Sequence, residues 1–306
     1  MYEGILPVWK EKGMTSHDVV FKVRKILKMK KVGHTGTLDP DVDGVLPICL
    51  GKATKVVEYL MNSGKTYVGE ITIGYSTTTE DASGDLVEEQ AVDGPISTDR
   101  IDEVLRTFEG EIEQTPPMFS AVKINGKRLY EYAREGKVID RPSRKVTIHS
   151  FKRLSEPTYN EESKTVSFHF EAKCSKGTYI RTLAVDTGAK LGYPAHMSSL
   201  TRTESGSIQA YECIKLDELQ KLMEEDRVET ILSPIERGLT AFPSIDLTDE
   251  QWSKVMNGAV LNKSDFDYVP EDQFVMTYQG HVVSIYGTHP NKSEFIKPVK
   301  VLRNTL

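Results

Sequence analysis

Apolar positions recur at recognisable periods along most of the chain. After Thr15-Ser16-His17-Asp18, the residues Val19, Val20, Val23, Ile26 and Leu27 repeat at helical spacing, which predicts a helix with Ser16 as its N-cap. Thr54 to Asn62 reads as a short helix. Thr66 to Tyr75 alternates (Tyr67, Gly69, Ile71, Ile73, Tyr75) like a half-buried strand. Ser97 to Phe108 carries an apolar stripe of Ile101, Val104, Leu105 and Phe108, with Ser97 or Thr98 as cap. Ala121 to Ile124 followed by Asn125-Gly126 predicts a strand entering a tight turn. Leu129 to Glu135 reads as a short helix, Val146 to Leu154 and Thr165 to Cys174 as paired strands, and Thr178 to Leu191 as a helix ended by Gly192. Residues 33–51 and 76–95 read as loops. Helical pattern returns from Leu216 to Met223, and short strand-like runs follow beyond residue 240.

Helix and strand mix without a regular βαβ rhythm, which favours an α+β fold over a doubly wound one. Ser233-Pro234, Gly238 and Pro243 place a boundary near residue 240. Two domains are expected: 1–240, and a small β-rich module over 241–306. At 306 residues the chain is long enough to bury a core without staples. Its three cysteines, Cys49, Cys174 and Cys213, form no CxxC pair; they suit a reducing compartment, the cytoplasm. No apolar run is long enough for a membrane span, and the first residues do not resemble a signal peptide.

Charge changes this picture. Lys and Arg total 39 against 45 Asp and Glu, a net −6 that argues against a nucleic-acid partner. The distribution argues the other way. Residues 22–31 carry six basic residues and no acid. Residues 121–153 carry ten against Glu131, Glu135 and Asp140. Residues 173–203 carry five against Asp186. Acids concentrate in residues 80–113, twelve against Arg100 and Arg106. Segregation of this kind can give one basic face for a polyanion.

The densest candidate for chemistry is Gly33-His34-Thr35-Gly36-Thr37-Leu38-Asp39-Pro40-Asp41-Val42-Asp43-Gly44-Val45-Leu46-Pro47. Asp39, Asp41, Asp43 and Gly44 match the first half of a calcium-binding EF-hand loop, but Leu50 stands where a bidentate Glu is needed. An aspartyl-phosphate site would need a hydrophobic strand directly before Asp39, and Gly-His-Thr-Gly-Thr precedes it instead.

Gly-His-Thr-Gly-Thr-Leu-Asp-Pro followed by Gly-Val-Leu-Pro resembles the signature of the TruB/dyskerin family of RNA pseudouridine synthases. Lys65-Thr66-Tyr67, Thr115-Pro116-Pro117-Met118-Phe119-Ser120-Ala121-Val122-Lys123, Cys174-Ser175-Lys176-Gly177-Thr178-Tyr179-Ile180-Arg181 and Leu200-Thr201-Arg202 extend the likeness in order to about residue 240. The sequence departs from the pattern at Val42-Asp43, where a small residue and a Ser or Thr are usual; Asp43 adds a carboxylate that could raise a neighbour's pKa.

The resemblance implies a pseudouridine synthase catalytic domain, a mixed and largely antiparallel sheet flanked by helices and loops, with a C-terminal PUA-type RNA-binding module. It implies a bacterial enzyme that isomerises uridine 55 in the T-arm of tRNA. Isomerisation breaks the C1′–N1 bond, rotates the base and rejoins it through C5, so no cofactor or metal is expected. The resemblance makes Asp39 the nucleophile and Arg181 its bidentate partner. Tyr67 lies against the target uracil and helps remove the C5 proton, Tyr179 lines the pocket, and Leu200 provides an apolar wall. The resemblance implies that His34 fills the gap or stacks in place of the flipped base. The basic insertion, about 121–150, closes over the T-stem, with Lys123, Arg141, Arg144, Lys145, Lys176 and Arg202 on the RNA backbone. The expected partner is tRNA through its T-stem-loop, bound by a monomer needing no protein partner and no membrane. A catalytic subunit of a guide-RNA particle and a non-catalytic tRNA-binding or RNA-folding protein are the competing readings.

Overall fold

The computed structural model describes residues 2–305. Contacts divide the chain into two compact units. One holds the segment through Pro40, Val45–Met61 and everything from Gly206 onward; the other holds Asp41–Gly44 and Asn62–Ser205.

The first unit opens with β1 (Gly4–Lys10) and α1 (Ser16–Leu27). The cap of α1 is Thr15, one residue before the expected Ser16. Thr15 Oγ1 accepts the Asp18 N–H at 3.1 Å, and the Asp18 carboxylate accepts the Thr15 N–H at 2.8 Å, a capping box. Ser16 is instead buried in the first turn and binds Leu38. Val19, Val20, Val23 and Leu27 face inward as predicted, while Phe21 is left exposed among lysines.

Residues 33–51, expected as a loop, contain the end of β2 (Val32–His34) and all of β3 (Asp43–Leu50), which pair antiparallel with Val32 opposite Leu50 and His34 opposite Ile48. Residues 45–50 are buried on both faces, so they show no alternation, and Pro47 disguises them further. A 3-10 turn leads into α2 (Val57–Asn62).

The second unit is built on β4 (Lys65–Ile73). Where a loop was expected after it, β5 (Tyr75–Thr77) and β6 (Leu86–Glu89) form a hairpin. Then come α3 (Thr98–Arg106), capped by Ser97, and β7 (Gly110–Gln114). β8 (Lys123–Ile124) and β9 (Lys127–Arg128) flank Asn125 and Gly126, both at positive φ, the turn chemistry the sequence predicts. α4 (Leu129–Arg134), β10 (Arg144–Arg153), β11 (Thr158–Asn160), β12 (Thr165–Cys174), α5 (Ile180–Leu191) and β13 (Ala195–Ser205) complete it. The strands lie in the order β13-β4-β12-β10-β7, each antiparallel to its neighbours. Phe151 stacks edge-on to Phe108 and Phe170 in its core.

The first unit resumes with β14 (Ile208–Gln209) and α6 (Leu216–Glu224). β15 (Ser244–Asp246), α7 (Asp249–Val255), β16 (Leu261–Asn262), β17 (Phe274–Tyr278), β18 (His281–His289) and β19 (Lys292–Val301) follow, in a sheet ordered β15-β17-β18-β19-β16. Val275, Val282, Ile285 and Leu302 of this sheet region share one apolar cluster with Ile5, Val45, Cys49, Ala53 and Val56. Burial pushes the Cys49 and Cys174 thiols up to about 12 and about 11, which keeps them protonated and unreactive. No described helix is long and apolar enough to cross a membrane.

Candidate active site

The Asp39 loop is pinned on both sides of the residue. The Leu38 N–H donates to Ser16 Oγ at 2.9 Å, and the Pro40 carbonyl accepts from the Gly13 N–H at 2.9 Å and from Lys10 Nζ at 3.1 Å. Leu38 is buried and Asp39 half-buried. Upstream, the Thr35 N–H donates to the Pro47 carbonyl at 3.1 Å. His34 ends β2; its Nδ1 accepts the Gly36 N–H at 3.2 Å, and its ring meets His17 edge-on at 5.3 Å. A carboxylate held this way has its backbone fixed to the first helical turn, the rigidity a positioned nucleophile needs.

Tyr67, Tyr179, Arg181 and Leu200 belong to the second unit. On β4, Tyr67 lies opposite Ala172 of β12 and Arg202 of β13, and is 9 % exposed. Leu200 lies opposite Gly69, one pleat along the same face, and is also buried. Arg181, in the first turn of α5, is 5 % exposed. Its Nη1 donates to the Thr79 carbonyl and its Nη2 to the Phe119 carbonyl, each at 2.9 Å. Two backbone carbonyls therefore aim the guanidinium. Tyr179 is the N-cap of α5, and the Arg144 guanidinium lies 4.8 Å from its ring centroid while bonding the Gly177 carbonyl.

Asp43, the departure from the family pattern, accepts the Thr201 hydroxyl at 2.6 Å, where β3 and β13 run parallel. Arg141 donates to the Pro116 carbonyl at 3.0 Å, Lys145 pairs with Glu111 at 2.7 Å, and Lys176 bonds Asn62 at 2.7 Å. Lys123, Lys145 and Lys176 are exposed. Arg202, expected on the RNA backbone, is only 1 % exposed.

Three residues not singled out from the sequence join this region. Lys65 is buried, donates to the Ser63 carbonyl at 2.6 Å, and is brought down to about 8 by burial, with the Arg202 charge adding to the fall. Glu80 accepts the Thr182 hydroxyl at 2.9 Å; burial raises its carboxyl pKa, against the Thr182 bond and the Arg181 and Arg141 charges. Gln114 grips the backbone of Tyr179. Lys65 opens a quoted motif, so it had a signal. Glu80 and Gln114 had none, because their partners lie more than sixty positions away.

His196 gives this unit a pH signature. It is fully buried, and burial holds its pKa below 6.5 against the Tyr75 carbonyl bond and the Asp81 and Glu70 charges. The native ring stays neutral where the unfolded one begins to protonate. Its contribution to stability is therefore full above about pH 6.5 and falls as pH drops below it. Urea midpoints measured from pH 7 to pH 5 should decline more steeply for wild type than for His196→Gln. Equal slopes would show that the ring is not held neutral.

The chain has a pseudouridine synthase fold. The chain aligns with a solved Cbf5-Nop10-Gar1 complex at a TM-score of 0.73 and 28 % identity, covering 98 % of this chain and 84 % of that one. Residues 24–180 match the family model described as TruB family pseudouridylate synthase, N-terminal domain, and residues 181–240 match the tRNA pseudouridylate synthase B C-terminal domain. Among relatives, a tRNA pseudouridine synthase B of Bacillus pumilus is 57 % identical over 99 % of this chain and 98 % of its own length. One of Latilactobacillus sakei is 52 % identical over 98 % and 97 %. The chain belongs to the TruB family of pseudouridylate synthases, and is an isomerase.

Proposed function

We propose that this chain converts uridine 55 of the tRNA T-loop to pseudouridine in the cytoplasm, flipping the base and using Asp39 as nucleophile. The observation that carries the reading is 57 % identity, nearly end to end, to a tRNA pseudouridine synthase B, with the Asp39 motif present. Attack at ribose C1′, attack at base C6 and the glycal route all start from this carboxylate. Arg181 keeps it ionised and oriented. Tyr67 stacks on the uracil and assists loss of the C5 proton, which balances the proton gained at N1. Tyr179 and Leu200 line the base pocket, and His34 fills the place the base leaves.

Lys123, Arg141, Arg144, Lys145 and Lys176 track the T-stem phosphates; buried Arg202 is left out of that set. Replacing Arg144 and Lys145 together by Gln should weaken tRNA binding and lower the salt slope by about 1 per lost phosphate contact. An unchanged slope in filter binding would remove them from the interface. Residues 1–240 form the catalytic part of this proposal, and 241–306, whose sheet has its own core around Phe274, Met276 and Tyr286, serve as a PUA-type RNA-binding module.

The test is tritium release from tRNA labelled at uridine C5, with purified protein and no added partner. Release that disappears when the T-loop uridine is absent supports the reading. No release despite tight binding would sink it and favour a partner-dependent subunit.

A further inference from the structure

The start of α5 is fixed by a residue from another strand. Gln114, the last residue of β7, is 1 % exposed. Its Oε1 accepts the Tyr179 N–H at 2.7 Å, and its Nε2 donates to the Tyr179 carbonyl at 2.9 Å. That carbonyl also accepts the helical N–H of Leu183 at 3.1 Å. Tyr179 is the N-cap and has no side-chain cap bond of its own. In a capping box the third helical residue supplies the acceptor for the N-cap N–H. Here that residue is Thr182, whose hydroxyl donates to Glu80. Gln114 thus provides from a distant strand what a capping Glu or Gln normally provides locally.

The same segment reaches Arg181. Five residues after Gln114, across Pro116 and Pro117, the Phe119 carbonyl accepts Arg181 Nη2 at 2.9 Å. The prolines fix φ at two of the intervening positions, so the segment is stiff. One short stretch therefore holds both the backbone that begins α5 and the guanidinium two residues into it.

We infer that Gln114 is a positioning residue for the isomerisation: it sets where α5 starts and hence where the Arg181 guanidinium points. The inference rests on the reading of Arg181 as an active-site group. A buried amide that merely satisfied its own hydrogen bonds would affect stability and leave turnover alone. A positioning amide affects kcat more than binding, and its bonding pattern can be switched by pH in one isosteric variant, Gln114→Glu. The protonated carboxyl of that variant keeps one donor and one acceptor and can make both Tyr179 bonds. Ionised, it offers only acceptors and repels the Tyr179 carbonyl. The buried setting raises the pKa of such a carboxyl towards the working range.

The experiment measures single-turnover rates on tRNA between pH 6 and pH 8 for wild type, Gln114→Glu, Gln114→Met and Arg181→Lys, with tRNA Kd and thermal midpoints alongside. At pH 8, Gln114→Glu should be slower than wild type by about 10- to 100-fold, with Kd within about threefold. Its rate relative to wild type should climb as pH falls, while the ratio for Gln114→Met stays low and flat. Wild-type rates in both Gln114 variants, or an equal deficit in Gln114→Glu at every pH, would overturn the inference. Should Gln114→Met fail to fold, the pH trend of Gln114→Glu decides alone. Wild-type turnover in Arg181→Lys would instead defeat the reading of Arg181, a result separable from failure at Gln114.

Discussion

Asp39→Asn should release no tritium above background, a loss of at least about a thousandfold in single-turnover rate. The amide keeps the size and the neighbours of the carboxylate but cannot act as the nucleophile. The backbone on either side is held by bonds that do not involve the side chain, from Ser16 to Leu38 and from Gly13 and Lys10 to Pro40. The loop should therefore keep its shape, and tRNA affinity should stay within about threefold of wild type, since phosphate contacts supply most of it. Comparable loss of binding would mean that the loop, rather than the chemistry, had been damaged. Retained turnover would remove Asp39 from the mechanism.

The largest stability effect is expected from Gly44→Ala. Gly44 lies where β3 and β13 run side by side, opposite Arg202, at φ 122°. A Cβ there would sit 2.2 Å from the Arg202 carbonyl oxygen and 2.6 Å from its nitrogen. Neither atom can move without breaking the strand, and the backbone conformation itself disfavours an L side chain. A cost of roughly 3 kcal/mol or more follows, seen as an apparent melting midpoint lower by about 6–12 °C. Because Asp43 is the preceding residue and holds Thr201, activity should fall along with stability. A midpoint within a degree of wild type would show that the strands part more easily than their register implies.

How far the sequence foretold these features depends on where their partners lie. α1, α3 and the Asn125-Gly126 hairpin depend on neighbours a few positions away, and their periodicity and turn chemistry were readable. β3 was not, because burial on both faces erases alternation and Pro47 mimics a loop. Thr15 and Ser16 are both good caps, and only the tertiary bond from Leu38 shows why Ser16 is used elsewhere. α7 lies in a stretch dominated by short strand-like runs, although its capping box at Thr248 and Gln251 is a local helix-start signal. For the site, family motifs marked Asp39, Tyr67 and Arg181 as residues, but motifs carry no burial. Arg202 looked like a phosphate ligand by type, and its closure from solvent comes from its place on β13 beside Tyr67.

The discontinuity of the first unit bears on how the protein is made. Apart from Asp41–Gly44, the second unit is one unbroken stretch and can fold as soon as residue 205 has left the ribosome. At that moment the first unit has its opening strands but lacks Val275, Val282, Ile285 and Leu302, against which Ile5, Val45 and Cys49 are buried. β1 and β3 are therefore synthesised among the first fifty residues yet complete their apolar core among the last. A nascent chain stalled before residue 275 would carry a finished sheet in the second unit and an unfinished core in the first, with apolar surface open to chaperones. Stop codons late in the reading frame should thus act as loss-of-function lesions, even though they spare every residue named in the chemistry.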